Sequence, residues 1–534
     1  MKKILYFGFS LVMLAVTPLS LTSCIDETEP TDGATQEQVE QSDQALEANL
    51  LGLNNQFIKI WNSSRHWSFG YGAMMIVRNI QSGEALFSAN GDNYDQFWTW
   101  SWDRYGSRDY LYGQFLWNYQ NGFVMAANNV IALTDTINGS AEVKGIAAAA
   151  IAFRSLIYLD MAREYEFLEN DKTEAKSPEG MDISGLTVPI VTEKTTEEES
   201  RNNPRVTRET MFKFLEKDLH AAARLITGFE NQSKTMPHLD CVYGLLARLY
   251  MWVEDYPNAE KYARLAIDAS ESQPITEDDA LNIQMGGNDI KQWMWGAQYS
   301  DGDVSNLINW ASFMTAENMY GYSGPLALGG AGCLPQIDAA HYARLSNTDW
   351  RKKEFIAPSN RHPLYGQTPL IDKGFLPYLE PYTSVKFRPN LGKYDDYTKG
   401  NVTAYPIMRV EEMYFIEAEA AAHQDVSRGK QLLANFMALR DPNYTCSATS
   451  TDDVVEEIVF QKMIELWGEG QTFFDIKRLD LPVTKKYSGS NWISNAQFNT
   501  PRRPAWMNWA IVKTEENNNT AVKNYNNPDP SGHY

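Results

Sequence analysis

The sequence predicts a mainly α-helical protein, in which tetratricopeptide-type helix pairs stack into a right-handed superhelical scaffold with minor β-strands. Residues 240–270 carry apolar side chains at three- and four-residue spacing on both sides of a break at Pro257, the pattern of such a pair. Similar amphipathic segments recur along the chain, and one pair cannot bury its own apolar face, so several are expected to stack. Residues 280–405 lack this periodicity and predict a large loop-rich excursion.

Residues 1–23 have the features of a signal peptide. Two lysines precede a nearly all-apolar stretch from Ile4 to Val16, which as a helix reaches about 20 Å, short of the roughly 30 Å hydrocarbon core of a bilayer. The following Leu21-Thr22-Ser23-Cys24 resembles the lipobox of bacterial lipoproteins. We therefore expect Cys24 to carry lipid and to anchor the chain to a membrane. An ordinary signal peptide with an incidental cysteine is the alternative.

The next segment is interpreted as a tether. Residues 24–45 are polar, acidic and poor in apolar side chains, which is typical of a flexible linker. The remaining residues, 46–534, are interpreted as one domain.

The helix pair in residues 240–270 is the best defined element. Tyr243, Leu246 and Tyr250 lie on one stripe of its first helix, and Pro257 suits the first turn of the second. Small residues on the second helix let the two backbones approach, so Tyr250 and Tyr256 are expected to pack between them. Helix pairs are expected around residues 145–270 and 405–478, with further helices at Gly145–Leu168, Glu209–Ile226, Glu411–His423 and Arg428–Leu439.

Residues 280–405 are dense in Gly, Pro, Tyr and Asn and have few periodic runs of helix length. Long irregular segments in compact proteins tend to carry function, so this excursion is expected to take part in ligand binding.

Composition excludes several classes of function. The net charge of −21 repels phosphate backbones, so nucleic acid is not an expected partner. Beyond Cys24, the chain has three cysteines, an odd and sparse set that predicts no disulfide framework. The seven histidines show no metal-ligand spacing, so neither a metal nor another cofactor is expected.

Signatures of catalysis are lacking in the sequence. Gly321-Tyr322-Ser323-Gly324-Pro325 departs from a nucleophile elbow, because Pro325 replaces its last glycine. Paired carboxylates from distant positions stay open in a chain with 68 acidic residues. We expect a protein without enzymatic activity, the alternative being a tethered glycosidase with a helical fold.

Aromatic residues point to a glycan as the ligand. The run Trp98-Thr99-Trp100-Ser101-Trp102 would place Trp98, Trp100 and Trp102 on one side of an extended chain, with Asn93 upstream to supply polar contacts. Sugar rings pack their C–H faces on aromatic rings and need hydrogen-bonding partners around the rim. The alternative, that these indoles fill the core, is equally open.

Six stretches, in order along the chain, resemble the SusD/RagB family of outer-membrane lipoproteins from Bacteroidetes. They are Gly145–Leu156, Val188-Pro189-Ile190-Val191-Thr192, Pro204–Leu219, Asn288–Tyr299, Tyr405–Tyr414 and Lys462–Arg478. Two departures concern the scaffold: Lys462 stands where the family usually has arginine, and the segment between Tyr165 and Val188 is longer than is common.

The resemblance implies a SusD-like fold and a binding protein that passes oligosaccharides, or in the RagB branch peptides, to a TonB-dependent SusC-like transporter. It also implies a lipid-anchored location at the outer membrane. The acidic residues after Cys24 resemble an export signal to the cell exterior.

The family's ligand site draws on an N-terminal loop and on loops after the strand that Asn288–Tyr299 resembles. Trp310, Tyr320 and Tyr322 are therefore the expected ligand-binding residues of the excursion. Tyr299 ends the strand and is expected to bind as well, with a place in the core as the alternative. Trp293 and Trp295 lie within that strand, and Trp252 and Trp467 within helical patterns, so these four are expected in the core.

Overall fold

The computed structural model describes residues 43–88, 103–324 and 332–532. Cys24, the candidate leader and most of the tether lie outside the described residues, as do Asn93, Trp98, Trp100 and Trp102. Among the described residues, the helices of eight residues or more are α1 Asp43–Ile58, α2 Tyr71–Ser82, α3 Leu111–Ala132, α4 Ala141–Tyr165, α5 Arg208–Leu225, α6 Leu239–Trp252, α7 Tyr256–Ala269, α8 Val410–Gln424, α9 Val426–Met437, α10 Thr451–Glu465 and α11 Thr472–Leu479.

Shorter helices connect these elements. The short α-helices are Glu197–Ser200, Glu277–Ala280, Trp310–Met314, Ala339–Arg344, Tyr397–Gly400 and Lys513–Asn518. Turns of 3₁₀ helix are Ile226–Gly228, Ile290–Gln292, Trp350–Glu354, Lys373–Tyr378, Asn390–Gly392, Ser494–Ala496 and Ala505–Met507.

The pair α6–α7 confirms the predicted tetratricopeptide-type hairpin. Asp255 caps α7 by accepting a hydrogen bond from the Asn258 backbone N–H, and Pro257 lies in the first turn. The Tyr250 ring stacks on the Tyr262 ring of α7 with centroids 5.4 Å apart. Tyr256 was also expected between these two helices; its ring stacks on His423 of α8, which packs against α7, with centroids 3.8 Å apart.

The helices from α3 to α9 stack in chain order, each packing against the next. The mainly α-helical class with stacked helix pairs is therefore confirmed. Helix α4 lies between α3 and α5 and is buried around its whole circumference; its buried charged residues Arg154, Asp160 and Glu164 are all ion-paired. Of the described helices, α4 is the one with the length and hydropathy of a membrane span, but that window is 100% buried, as in the core helix of a folded domain.

Two small antiparallel sheets join the excursion to the scaffold. Strand β1, Ala85–Phe87, pairs with β3, Pro335–Ile337. Strand β2, Trp295–Gln298, pairs with β4, Ala404–Met408, with an irregularity between Trp295 and Gly296. The first sheet ties the N-terminal segment after α2 to the middle of the excursion, and the second ties the start of the excursion to its end.

A cluster of buried charges lies where α8, α9 and α10 meet the excursion. We call it the ionic core, and it consists of Arg351, Lys386, Arg409, Glu411, Arg440, Glu465 and Glu469. Arg440 donates two hydrogen bonds to the Glu465 carboxylate, at 2.8 and 2.9 Å, and Arg409 donates a third at 3.0 Å. Burial alone would raise the pKa of Glu465, but these guanidinium groups hold it well below its ordinary value. The glutamate is ionised and fully paired.

Candidate ligand-binding site

Two of the predicted site residues lie in the core, which corrects the prediction. Trp310 is 0% exposed and Tyr299 is 2% exposed. The Trp310 ring packs edge-to-face on Phe387, with centroids 4.6 Å apart, and its backbone N–H donates to the Tyr299 hydroxyl at 3.1 Å. Neither aromatic face is open to a sugar, because Trp310 fills the junction between α2 and the β2–β4 sheet, where it abuts Gly72 and Tyr405.

The four tryptophans expected in the core are buried, as predicted. Trp295 packs edge-to-face on Phe153 of α4 at 4.9 Å. Trp252 donates its indole N–H to Glu166 at 2.9 Å, and Trp467 donates to the backbone carbonyl of Glu84 at 3.2 Å. These hydrogen bonds satisfy the one polar atom of each indole.

Tyr320 and Tyr322 share a turn, residues 318–324, which we call the tyrosine turn. Tyr320 is 46% exposed, whereas Tyr322 is half-buried. The turn is held on the helix Trp310–Met314 by Ser323, whose backbone N–H donates to the carbonyl of Ser312 at 2.8 Å. The Asn318 side chain donates to Asn401 at 2.5 Å. Exposed Tyr320 is thus presented from a hydrogen-bonded base.

Beneath the turn, aromatic rings are layered. The Tyr322 ring stacks on Phe313 with centroids 4.8 Å apart, and Phe313 stacks on Phe69 at 5.5 Å. His66 lies beside Tyr322 and Phe313, at 5.6 and 6.0 Å. Burial, together with nearby Arg65, lowers the pKa of His66 to about 4, so the imidazole is neutral at pH 7 and packs as an aromatic ring.

The tyrosine turn adjoins the point where the chain leads into the tryptophan run. Ser88 is the last described residue before that run, and its backbone N–H donates to the carbonyl of Leu334 at 2.9 Å. The hydroxyl of Ser88 donates to the carbonyl of Gly332 at 3.3 Å. One residue on, the backbone N–H of Cys333 donates to the carbonyl of Tyr322 at 3.0 Å. The described chain up to Ser88 and the tyrosine turn therefore meet at this end of the β1–β3 sheet.

A cavity among buried charged groups of the scaffold is too small for a sugar ring. A cavity lined by residues that include Arg163, Arg248, Glu412 and Asp475 has a volume of about 30 Å³, enough for one or two water molecules. Glu412 is paired with Arg248, and Asp475 with Lys462 at 2.9 Å. Lys462, which departs from the family pattern, thus still forms a buried ion pair. Among the described residues, no cluster of three or more His, Cys, Asp or Glu side chains could hold a metal ion.

Comparison with known proteins agrees with this architecture. Residues 363–532 match the model of the SusD family, and residues 71–251 match a SusD-like model described as "Starch-binding associating with outer membrane". The chain belongs to the SusD-like family. No curated protein matches this SusD-like chain.

Solved structures share the fold of this SusD-like protein over almost its whole length. A SusD-like carbohydrate binding protein from Bacteroides vulgatus ATCC 8482 is similar at a TM-score of 0.69 and 19% identity, covering 91% of this chain and 98% of that chain. A SusD superfamily protein from Bacteroides thetaiotaomicron VPI-5482 is similar at a TM-score of 0.66 and 17% identity, covering 90% of this chain and 98% of that chain. A SusD superfamily protein from Parabacteroides distasonis ATCC 8503 is similar at a TM-score of 0.62 and 15% identity, covering 92% of this chain and 98% of that chain. At these identities the likeness shows the fold.

Proposed function

We propose that this SusD-like protein is a surface-exposed, non-catalytic lipoprotein that captures oligosaccharides or polysaccharide and delivers them to a TonB-dependent SusC-like transporter in the outer membrane. The family description as starch-binding and associated with the outer membrane supports the ligand class and the location. The Bacteroides vulgatus relative of the same fold is named a carbohydrate binding protein.

The observation that carries the proposal is the exposed ring of Tyr320 on a hydrogen-bonded turn near Ser88, the last described residue before the tryptophan run. An aromatic face held in place stacks on the C–H face of a sugar without losing side-chain freedom on binding. Each stacked ring contributes on the order of 1 kcal/mol beyond its burial, so a few together give affinities of roughly millimolar to micromolar. Trp98, Trp100 and Trp102, with Asn93, are proposed as the other half of this site.

Binding without catalysis is supported by the state of the buried acids. Glu465, Glu412 and Asp475 are each engaged by basic side chains and lie away from open space large enough for a sugar. A glycosidase needs two carboxyl groups that face the glycosidic bond from opposite sides.

Titration calorimetry with neutral oligosaccharides tests the proposal. Tyr320→Ala should weaken binding about five- to tenfold, the loss of one stacked ring. Trp100→Ala should weaken it by roughly 1–3 kcal/mol with little change in thermal stability. The matched control is Tyr365→Ala, which removes a tyrosine that is 43% exposed in the same excursion but outside the tyrosine turn. A Trp100→Ala protein that unfolds would place the tryptophans in the core, and binding of peptides alone would overturn the glycan assignment.

The anchor and the partner have their own test. Cys24→Ala should release the protein from the membrane fraction, because the acyl chains would have no attachment point. A wild-type protein isolated from native outer membranes should bring a TonB-dependent transporter with it. Isolation without any such barrel would overturn the delivery role while leaving glycan capture intact.

A further inference from the structure

A second open hollow lies on a different face of the scaffold, between α3, residues 189–203 and the helix Lys513–Asn518. We call it the α3 cleft. Its volume is about 570 Å³, within the range of small-molecule sites. Its lining includes Trp117, Asn118, Asn121, Met125, Asn203 and Asn518. It shares no residue with the tyrosine turn.

Hydrogen bonds fix the orientation of three asparagine amides in the cleft. The Nδ2 atoms of Asn121, Asn203 and Asn518 donate to the backbone carbonyls of Trp117, Ile190 and Thr514, at 2.9, 2.8 and 2.9 Å. Because only the nitrogen of an amide can donate to a carbonyl, the Oδ1 atom of each side chain must lie on the other side. Within the described part of the chain, none of these three oxygens accepts a hydrogen bond.

Asn118 supplies the complementary group. Its Oδ1 accepts a hydrogen bond from Gln114 at 2.8 Å, which leaves the Nδ2 group to donate. Asn118 and Asn121 are three residues apart on α3 and therefore lie on the same face of the helix. These four amides thus present three oxygens and one NH2 group that have no partner among the described residues.

The walls of the cleft are held together without a ligand. The backbone N–H of Asn203 donates to Asn519 Oδ1 at 3.0 Å, and Asn519 Nδ2 donates back to the carbonyl of Asn203 at 2.7 Å. On the other side, Tyr158 and Asn128 both donate to the carbonyl of Val191. A preformed site of this kind loses little conformational freedom when it binds.

The lining of the α3 cleft also contains apolar and charged side chains. Met125 is 48% exposed and provides apolar surface beside the amides, whereas Trp117 and Pro189, which also border the cleft, are buried. The two opposite charges of Glu197 and Arg201 form an ion pair at 2.5 Å, so they offset each other. Glu515, which accepts a hydrogen bond from Asn519 at 3.1 Å, adds one negative charge to the lining. The lining therefore disfavours anions and favours a ligand that is rich in hydroxyl groups and apolar on one face.

We propose that the α3 cleft is a second binding site for neutral oligosaccharide, separate from the tyrosine turn. Sugar hydroxyls donate to the amide oxygens of Asn121, Asn203 and Asn518, and a C–H face packs on Met125. The described walls are helices and an irregular segment, residues 189–195, in which the Ile190 and Val191 carbonyls already accept hydrogen bonds from side chains, so an extended peptide would find no open backbone edge to join there. This inference rests on the proposed function, since it assigns the same class of ligand.

Calorimetric stoichiometry on the full mature chain separates the two sites. The probes are maltoheptaose, xylohexaose, cellohexaose and a galactan hexamer. The double variant Asn118→Ala/Asn121→Leu removes the donor and one acceptor from the cleft, and Asn129→Ala is the matched control, an exposed asparagine on the same helix that does not line the cleft. Tyr320→Ala/Trp100→Ala disables the first site.

We expect two sites per chain for one of the probes, with one site left after either double variant and no change in the control. One site that survives Asn118→Ala/Asn121→Leu and is abolished by Tyr320→Ala/Trp100→Ala would overturn the cleft proposal and leave the proposed function standing. One site with the reverse pattern would support the cleft and overturn the tyrosine turn. Binding of peptides, but no sugar, in the cleft would overturn the ligand class.

Discussion

The ionic core and the α3 cleft are both polar, but they use their hydrogen-bonding groups differently. In the ionic core both oxygens of Glu465 accept hydrogen bonds from arginines that are themselves buried. In the cleft the amide groups of Asn121 and Asn203 each donate to a backbone carbonyl, and their oxygens have no partner among the described residues. A group whose bonding capacity is filled contributes to stability, whereas one that is oriented but half used can bind a ligand. The difference predicts which substitutions unfold the protein and which only change binding.

The largest effect is expected at Glu465. Glu465→Ala leaves Arg440, Arg409 and Arg351 buried with too few partners, which should lower the free energy of unfolding by about 3–5 kcal/mol. Denaturant unfolding followed by fluorescence measures the loss. Glu456→Ala, an exposed position on the same helix, is the control and should change little. Equal stability of the two variants would show that the network does not stabilise the fold.

The next effect is a pH dependence that originates at Glu84. Burial raises the pKa of Glu84 to about 8, against 4.5 for an unperturbed glutamate. Between these values the folded protein holds a proton that the unfolded chain has released, so the stabilisation is full below pH 4.5 and is lost as the pH rises through 8. Glu84→Gln should remove this pH dependence. The free energy of unfolding of the variant, relative to that of the wild type, should therefore increase by on the order of 1–3 kcal/mol between pH 5 and pH 8.

That measurement compares the unfolding free energies of wild type and Glu84→Gln at pH 5 and pH 8. The difference between the two proteins isolates Glu84 from Glu354 and Glu164, whose pKa values burial raises to about 7. A constant difference across this range would contradict a proton held by Glu84.

A smaller loss is expected at Asn519, which is 2% exposed and joins the two walls of the cleft. Asn519→Ala should cost about 1–2 kcal/mol of stability, since it leaves the backbone groups of Asn203 without partners. It should also weaken oligosaccharide binding in the cleft. Asn517→Ala changes an exposed asparagine of the same short helix and should do neither. Undiminished binding by Asn519→Ala would show that the reciprocal bond does not shape the cleft.

The smallest effect on stability is expected at Asn121. Asn121→Leu removes one partly exposed hydrogen bond to the preceding helical turn, so the free energy of unfolding should change by less than about 0.5 kcal/mol. Ligand binding in the cleft should fall several-fold in the same protein. A change of stability without a change of binding would reverse the contrast between the two regions.

Some of the predicted site residues are exposed and others are buried, and the sequence did not distinguish the two groups. Tyr320 is exposed as predicted, but Trp310, ten residues earlier, is in the core. In a segment without periodicity, neighbouring aromatics carry no signal of which side faces solvent. Trp310 is covered by Phe387 and Tyr405, residues about 80 to 100 positions away, so its burial depends on contacts that local sequence does not encode.

The α3 cleft was missed for a related reason. Helix α3 was not predicted. Without a helix, the three-residue spacing of Asn118 and Asn121 did not indicate that both side chains lie on the same face. With α3 recognised, two asparagines on one exposed face next to Met125 would have marked it for attention. The third wall, formed by Lys513–Asn518, comes from the far end of the chain.

The sequence by itself determined the helix pair α6–α7 and the helical class, because helical periodicity, a capping aspartate and a first-turn proline act within a few residues of one another. The SusD-like family was indicated separately, by the six motif stretches that resemble it. Tertiary structure alone decided which aromatic rings are sealed, how Glu465 is neutralised, and which asparagine oxygens remain open. Those outcomes depend on whether distant segments supply a covering ring, a guanidinium or a backbone carbonyl, and only the packed chain brings them together.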